Sequence, residues 1–524
     1  MKKIILPVLI VLFLAACEEK VDVKRIQWTS SSPEAIGLFE EFLTTFETRT
    51  WDPERQEKLI DSLFKLDPDF TYAKTFFYFF KTNEENRENI LEAYNNRGKV
   101  SELEKRLIEA EYEWRVNGNR VKQDQIMDSL IIDNPEYYQL RLWSGDIKNN
   151  FNVKGCEKRW LEALEINPNS FAAHVNLAFL HFPTSNNFFM LAEDERDLKK
   201  AEELLVKGSE IHPESSRWSR FLGNVYRAQN EFDKAMASYK ESLEIIEKNE
   251  TGNKSNSYAN SLLMVGHVNT FQGNYDEART FYDKAIEISN NNWKRQITVL
   301  KSHTYMYQKD FANAVLTLSK LQNDINNYEA EEIRKINWTL EALFNQFLAF
   351  GHSQKLDETV KTIEKIKALR AKRLKIQLSD AIDDKQRQRY SSYNKKANLN
   401  SDIWYNILFG NYDTARNLMA EFKIISQEEL KYNPSAMYEY FSFSGYLNLM
   451  EGNPEESIIA YNKLSKEDLT NDGYHSYFLA LAKKAIGEEN QSKDMFIRLA
   501  NNNFATWQNS IVRNLAKDQI KTNL

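Results

Sequence analysis

Gln272-Gly273-Asn274-Tyr275-Asp276-Glu277-Ala278, with Tyr282 four residues on and Ala285 three after that, reads as the turn of a helix hairpin running into its second helix. Glycine before the aromatic permits a tight turn. Ala278, Tyr282 and Ala285 fall on one helical stripe, two small residues flanking a large one. The same order recurs in Cys156, Trp160, Ala163; in Ala201, Leu205, Gly208; and in Ala235, Tyr239, Ser242. It returns in Ala314, Leu318, Leu321; Ala415, Met419, Phe422; Ser457, Tyr461, Leu464; and Ser492, Phe496, Leu499. The interval is 34 residues from Ala201 to Ala235, 36 from Ala278 to Ala314 and 35 from Ser457 to Ser492. The longer step of 43 from Ala235 to Ala278 is explained by the polar stretch Lys248 to Asn256, an insertion at a turn. A hairpin with one apolar stripe cannot bury it alone, so such units stack.

These spacings resemble the tetratricopeptide repeat. The resemblance implies an all-α solenoid of stacked antiparallel helix pairs forming a superhelix whose groove holds another polypeptide. Read this way, residues 32–325 form an N-terminal solenoid whose first repeats are degenerate. Residues 326–400 form a long-helix connecting segment containing the weaker hairpin Thr359, Ile363, Ile366, and 401–524 carry C-terminal repeats and a capping helix. Ser32-Pro33-Glu34 marks the first helix start, with Ser32 capping and Pro33 in the first turn. Hydrophobic residues at 42% supply ample core, while only 16 glycines and 10 prolines leave little for loops, which favours long helices with tight connections.

At the N-terminus Lys2 and Lys3 precede the apolar run Ile4 to Leu14, then Leu14-Ala15-Ala16-Cys17. The run is roughly half the ~20 residues a bilayer-spanning helix needs, so it reads as a signal peptide over 1–16, with 17–31 as a tether. Leu-Ala-Ala-Cys resembles the bacterial lipobox, which implies lipidation at Cys17. Three acyl chains would hold the mature chain firmly to a membrane. Cys156, the only other cysteine, is expected to be a buried packing residue. Glu18 after Cys17 favours the outer membrane, on its periplasmic or exposed face.

The seven histidines form no zinc-binding pattern, and no nucleophile elbow, phosphate loop or dinucleotide turn occurs. Neither enzyme activity nor a cofactor or metal is expected. The formal charge of −7 becomes −9 without Lys2 and Lys3, and the charges are interspersed, which points away from nucleic acid. Arg217, Arg220, Asn224 and Arg227 step by three or four along a first helix. In the resembled family that helix lines the groove, and His267 and His303 take the matching place in the next two repeats. The set loosely resembles a carboxylate clamp and could receive an acidic peptide; a solvated basic stripe is the other reading, and Met264 departs from the clamp. Phe443, Tyr446, Tyr477 and Phe478 also fall at groove-facing positions, with core as the alternative. The basic run Lys361 to Lys375 reads as a solvated helix face.

Together these readings describe a lipid-anchored scaffold that binds a protein or peptide in the bacterial cell envelope. The alternative is a nutrient- or glycan-binding outer-membrane lipoprotein of the starch-utilisation type, although the chain has few of the glycine- and proline-rich loops such a sugar site would use.

Overall fold

The computed structural model describes residues 23–48, 53–79, 83–149, 151–183, 190–213, 215–249 and 256–521. Among them every regular element is helical. Cys17 and the apolar segment before it lie outside the described residues, and no described helix is long and apolar enough to cross a membrane.

The central helices show why the sequence folds as pairs. Arg217–Ala228 packs on Phe232–Asn249, Asn256–Gln272 on Tyr275–Ile288, and Asn291–Tyr307 on Phe311–Asn327, and each pair packs on the next. The stripe residues Ala235, Tyr239, Ala278, Tyr282, Ala285, Ala314 and Leu318 are all fully buried. Each aromatic ring of a second helix fills a space left by a glycine on its partner: a Cβ at Gly223 would lie 2.4 Å from the Tyr239 ring, and one at Gly266 2.4 Å from that of Tyr282. The same device joins Gly145 to Trp160 and Gly445 to Tyr461, at 2.2 and 2.6 Å. Glycine lets the backbones approach, and the ring converts the approach into buried apolar area.

Pairing continues through 326–400. Glu332–His352 packs on Leu356–Ser379, and Asp384–Leu408 on Tyr412–Glu429, with Thr359, Ile363 and Ile366 buried in the stripe position. These helices are longer, at 21, 24, 25 and 18 residues. One apolar cluster runs unbroken from Met306 through Leu343, Trp404, Phe443 and Tyr474 to Val512 and Ala516. The basic run is held by its neighbours: Lys367 pairs with Asp402 at 2.7 Å, Lys372 pairs with Glu332, and Arg370 donates to the Ala397 carbonyl at 2.6 Å.

Residues 23–31 are irregular yet docked. Ile26 and Trp28 are buried, Trp28 stacks on Tyr72 at 4.9 Å, and Ser30 and Ser31 donate to Asp67. The expected tether is therefore packed from Val23 onward, because Trp28 and Ile26 offer apolar area that the first helices can cover. Ser32 does cap Pro33–Glu47, accepting from the Ala35 amide at 3.2 Å.

The last helix, Trp507–Lys521, does more than cover the end of the stack. It packs on Glu489–Ala500 and also against Asn291–Tyr307, two hundred residues earlier. Asn514 donates to the Tyr307 carbonyl at 2.7 Å, and Ala505 is buried with Phe271 and Tyr307. A second bridge lies nearby, where the Met190 amide and carbonyl meet the Asn471 side chain and Asp194 pairs with Lys466 at 2.9 Å. The superhelix thus closes on itself, with two limbs joined by their own side chains.

Candidate functional site

The groove candidates sit on successive first helices because the repeat returns each helix to the same orientation. Arg217 is half-buried at the start of Arg217–Ala228 and donates to the Thr48 carbonyl at 3.4 Å. Arg220, Asn224, Arg227, His267 and His303 are buried. Asn224 Oδ1 accepts from the Tyr239 hydroxyl at 2.7 Å, His267 Nδ1 meets the Tyr282 hydroxyl at 2.7 Å, and His303 Nε2 meets Asn345 Oδ1 at 2.8 Å. The Asn345 amide nitrogen donates to the Glu341 carbonyl, so Oδ1 is an acceptor and His303 carries its proton on Nε2. Burial holds His267 well below its usual range and pulls His303 down to about 4, so both rings are neutral at pH 7.

The set is brought together by the fold, but it faces inward. At Arg227 the chain's own C-terminal segment closes over it. Asn503 donates to the Arg227 carbonyl at 3.0 Å and to Asn230 Oδ1 at 2.7 Å, and accepts from Arg513 Nη2 at 2.8 Å. Arg513 also donates to the Asn502 carbonyl at 3.1 Å and lies 5.2 Å from the Phe271 ring centre. Asn503 and Arg513 belong to this surface, yet nothing in the repeat period marks them, since they arrive from the far end of the chain.

The aromatic candidates are elsewhere. Phe443, Tyr446 and Tyr477 are buried in the large apolar cluster, with Phe478 half-buried against it. Phe443 packs edge-on to Trp404 and Phe422, and Tyr446 accepts from the Tyr474 hydroxyl at 3.4 Å. They serve as core, the second of the two sequence readings. Cys156 is fully buried, accepts a weak bond from Asn149 at 3.8 Å, and burial pushes its thiol up, away from nucleophilic use. Among the described residues no group of three or more His, Cys, Asp or Glu is placed to hold a metal ion.

Two hollows were not legible in the sequence. One, of about 270 Å³, lies in the N-terminal stack among Phe46, Tyr72, Phe76, Trp114 and Trp143. Its Trp114 face is already taken by the Arg120 guanidinium, 3.3 Å from the ring centre. The other, of about 760 Å³, opens between the two limbs and reaches Asn502 and Asn503.

Residues 214–291 match the family model described as the tetratricopeptide repeat. Among solved structures, a tetratricopeptide repeat protein from Parabacteroides merdae ATCC 43184 is 13% identical over 58% of this chain and 93% of its own, with a TM-score of 0.32. YrrB, described as a TPR protein with an unusual peptide-binding site, is 13% identical over 40% of this chain and 91% of its own, with a TM-score of 0.23. No curated protein matches the chain. Over the described residues the molecule is an all-α solenoid of stacked helix pairs that contains a tetratricopeptide-repeat segment at 214–291, and stacks of this kind serve as scaffolds for protein or peptide partners.

Proposed function

We propose that this chain is a lipid-anchored scaffold of the bacterial cell envelope, tethered through Cys17 to the outer membrane, where it holds a protein or peptide partner. The observation that carries the partner-binding part is the continuous stack of helix pairs containing the tetratricopeptide segment 214–291. The anchor rests on Leu14-Ala15-Ala16-Cys17 after a short apolar run.

Of the candidates on the three central first helices, Arg217 is the one a partner reaches without rearrangement, since it is half-buried while Arg220, Asn224, Arg227, His267 and His303 are covered. Exposed apolar side chains on outer helix faces, Ile132, Leu316, Ile424 and Ile459, offer further contact points. Metabolic labelling with an alkyne fatty acid tests the anchor: label on the wild type and none on Cys17→Ser, which is released from membranes, is the expected result. In-cell photocrosslinking from positions 217 and 316, with captured species identified by mass, tests the scaffold. A defined partner that disappears on Arg217→Glu supports it, and crosslinks to none but abundant bystanders count against it.

A further inference from the structure

The hollow of about 270 Å³ in the N-terminal stack has aromatic walls over an apolar floor. Leu107, Ala110, Met127 and Leu142 form the floor and are buried. The polar groups that reach it are already satisfied. The Thr75 hydroxyl donates to the Tyr72 carbonyl at 2.8 Å, and the Gln123 side chain accepts from Arg120 at 2.8 Å and donates to Glu111 at 3.3 Å. Such a floor offers water little to bind, so displacing water from it favours an apolar guest.

Phe46, Phe76, Trp114 and Trp143 line the walls and are only half-buried. Phe76 stands edge-on to Phe42 and Tyr72, with ring centres 5.5 and 5.6 Å apart, and is tilted against Phe46 at 6.3 Å. Arg120 covers the Trp114 face, so a guest ring meets Phe46, Phe76 and Trp143. Among the described residues the indole nitrogens of Trp114 and Trp143 have no acceptor, and neither is sealed in the core. An indole N–H only donates, so the acceptor it needs comes from water or from a guest. The charges at the hollow balance: Glu111 pairs with Arg115 at 3.0 Å, Glu47 pairs with Arg25 at 3.1 Å, and Asp146 and Arg120 add one of each sign. A charged guest finds no opposite excess there, which selects an uncharged molecule.

The geometry points to a binding site for a small uncharged aromatic molecule of one or two fused rings, which lies against Phe46, Phe76 and Trp143 and accepts a hydrogen bond from the Trp143 indole. An apolar cavity of about 150 Å³ is enough to hold benzene, so 270 Å³ takes a bicyclic ring and is too small for a stretch of polypeptide. A flat aromatic ring extends the edge-to-face packing already present around Phe76, which a saturated ring of the same size does not. An aromatic side chain of a peptide shares this chemistry, so the test separates it from a free small molecule.

The experiment titrates the purified full chain with coumarin, an uncharged bicyclic ring with a carbonyl acceptor, by isothermal calorimetry. Octahydrocoumarin, naphthoate and N-acetyltryptophanamide are the other arms. Coumarin is expected to bind at least about tenfold more tightly than octahydrocoumarin or naphthoate. Trp143→Phe keeps a ring and removes the donor, and should weaken coumarin by about threefold or more. Ala110→Phe fills the floor and should abolish binding, with circular dichroism reporting the fold; if that variant does not fold, Trp143→Phe decides. Absence of saturable coumarin binding, equal binding of octahydrocoumarin or naphthoate, or unchanged binding in Trp143→Phe would overturn the proposal. Tighter binding of N-acetyltryptophanamide than of coumarin would assign the hollow to a peptide side chain and overturn the small-molecule assignment. Because the measurement needs neither membrane nor cellular partner, failure of the envelope reading leaves it untouched.

Discussion

Lys309, Gln354 and Asn230 hold φ near +60°, the left-handed conformation found at the inter-helix turns, where Gly273 and Gly410 stand in other repeats. A side chain there costs roughly 1–2 kcal/mol that glycine avoids, less the entropy glycine loses on folding. Lys309→Gly should therefore stabilise the protein by up to about 1 kcal/mol, read from denaturant or thermal unfolding. The reverse holds for the packing glycines. Gly266→Ala places a Cβ 2.4 Å from the fully buried Tyr282 ring and should cost about 1–3 kcal/mol, visible as a lowered unfolding midpoint. Gly266 was readable in sequence beside Val265, but that it meets Tyr282, and Gly145 meets Trp160, depended on how the paired helices face one another. His303 gives a pH dependence with a definite sign. Its folded value near 4 lies below the unfolded value of about 6.5, so its contribution is present above pH 6.5 and is lost on acidification toward pH 4. In that window the unfolded state binds more protons, and the loss from this one ring is on the order of 1 kcal/mol per pH unit. His303→Gln should flatten the fall in thermal midpoint between pH 6.5 and 4.

At the scale of elements, Ser101-Glu102-Leu103-Glu104 starts Glu102–Arg115 with a capping box in which Ser101 and Glu104 satisfy each other's backbone amides. Glu104 is fully buried because it has a second task, accepting from the Thr29 amide at 2.9 Å and the Thr29 hydroxyl at 2.5 Å. It therefore fastens the irregular segment 23–31 to the stack. Glu104→Ala should speed amide exchange across 26–31 and lower stability by about 1–3 kcal/mol, measured by hydrogen exchange and unfolding; unchanged exchange there would count against the fastening. The helix starts themselves were legible, as Ser32 with Pro33 shows. The docking of 23–31 was not, because a segment without period gives no sign of the surface that will cover Trp28.

The whole molecule is decided by closure. The final segment reaches back to Asn291–Tyr307 and to the Arg227 turn, and Met190 and Asp194 meet Asn471 and Lys466 on the same seam. Asn503, 2% exposed, is the hub of the first of these contacts. Asn503→Leu removes three hydrogen bonds and leaves buried groups unsatisfied, so the two limbs should separate. Small-angle scattering should show a larger radius of gyration and hydrogen exchange should show lost protection over 507–521; an unchanged envelope would mean the apolar contacts of Trp507 and Ala505 suffice.

The periodic stripes determined by themselves that this chain folds as stacked helix pairs, because burying Ala, Tyr and Ala at that spacing has one economical solution and it is local. That Arg227 meets the chain's own end was decided by the accumulated rotation of the repeats, which carries Asn503 onto Arg227 across more than 270 residues. That rotation is a sum of many small packing angles. No single stretch of sequence encodes it, and so Arg227, one of a set that reads either as groove lining or as a solvated stripe, becomes in three dimensions part of a closed seam.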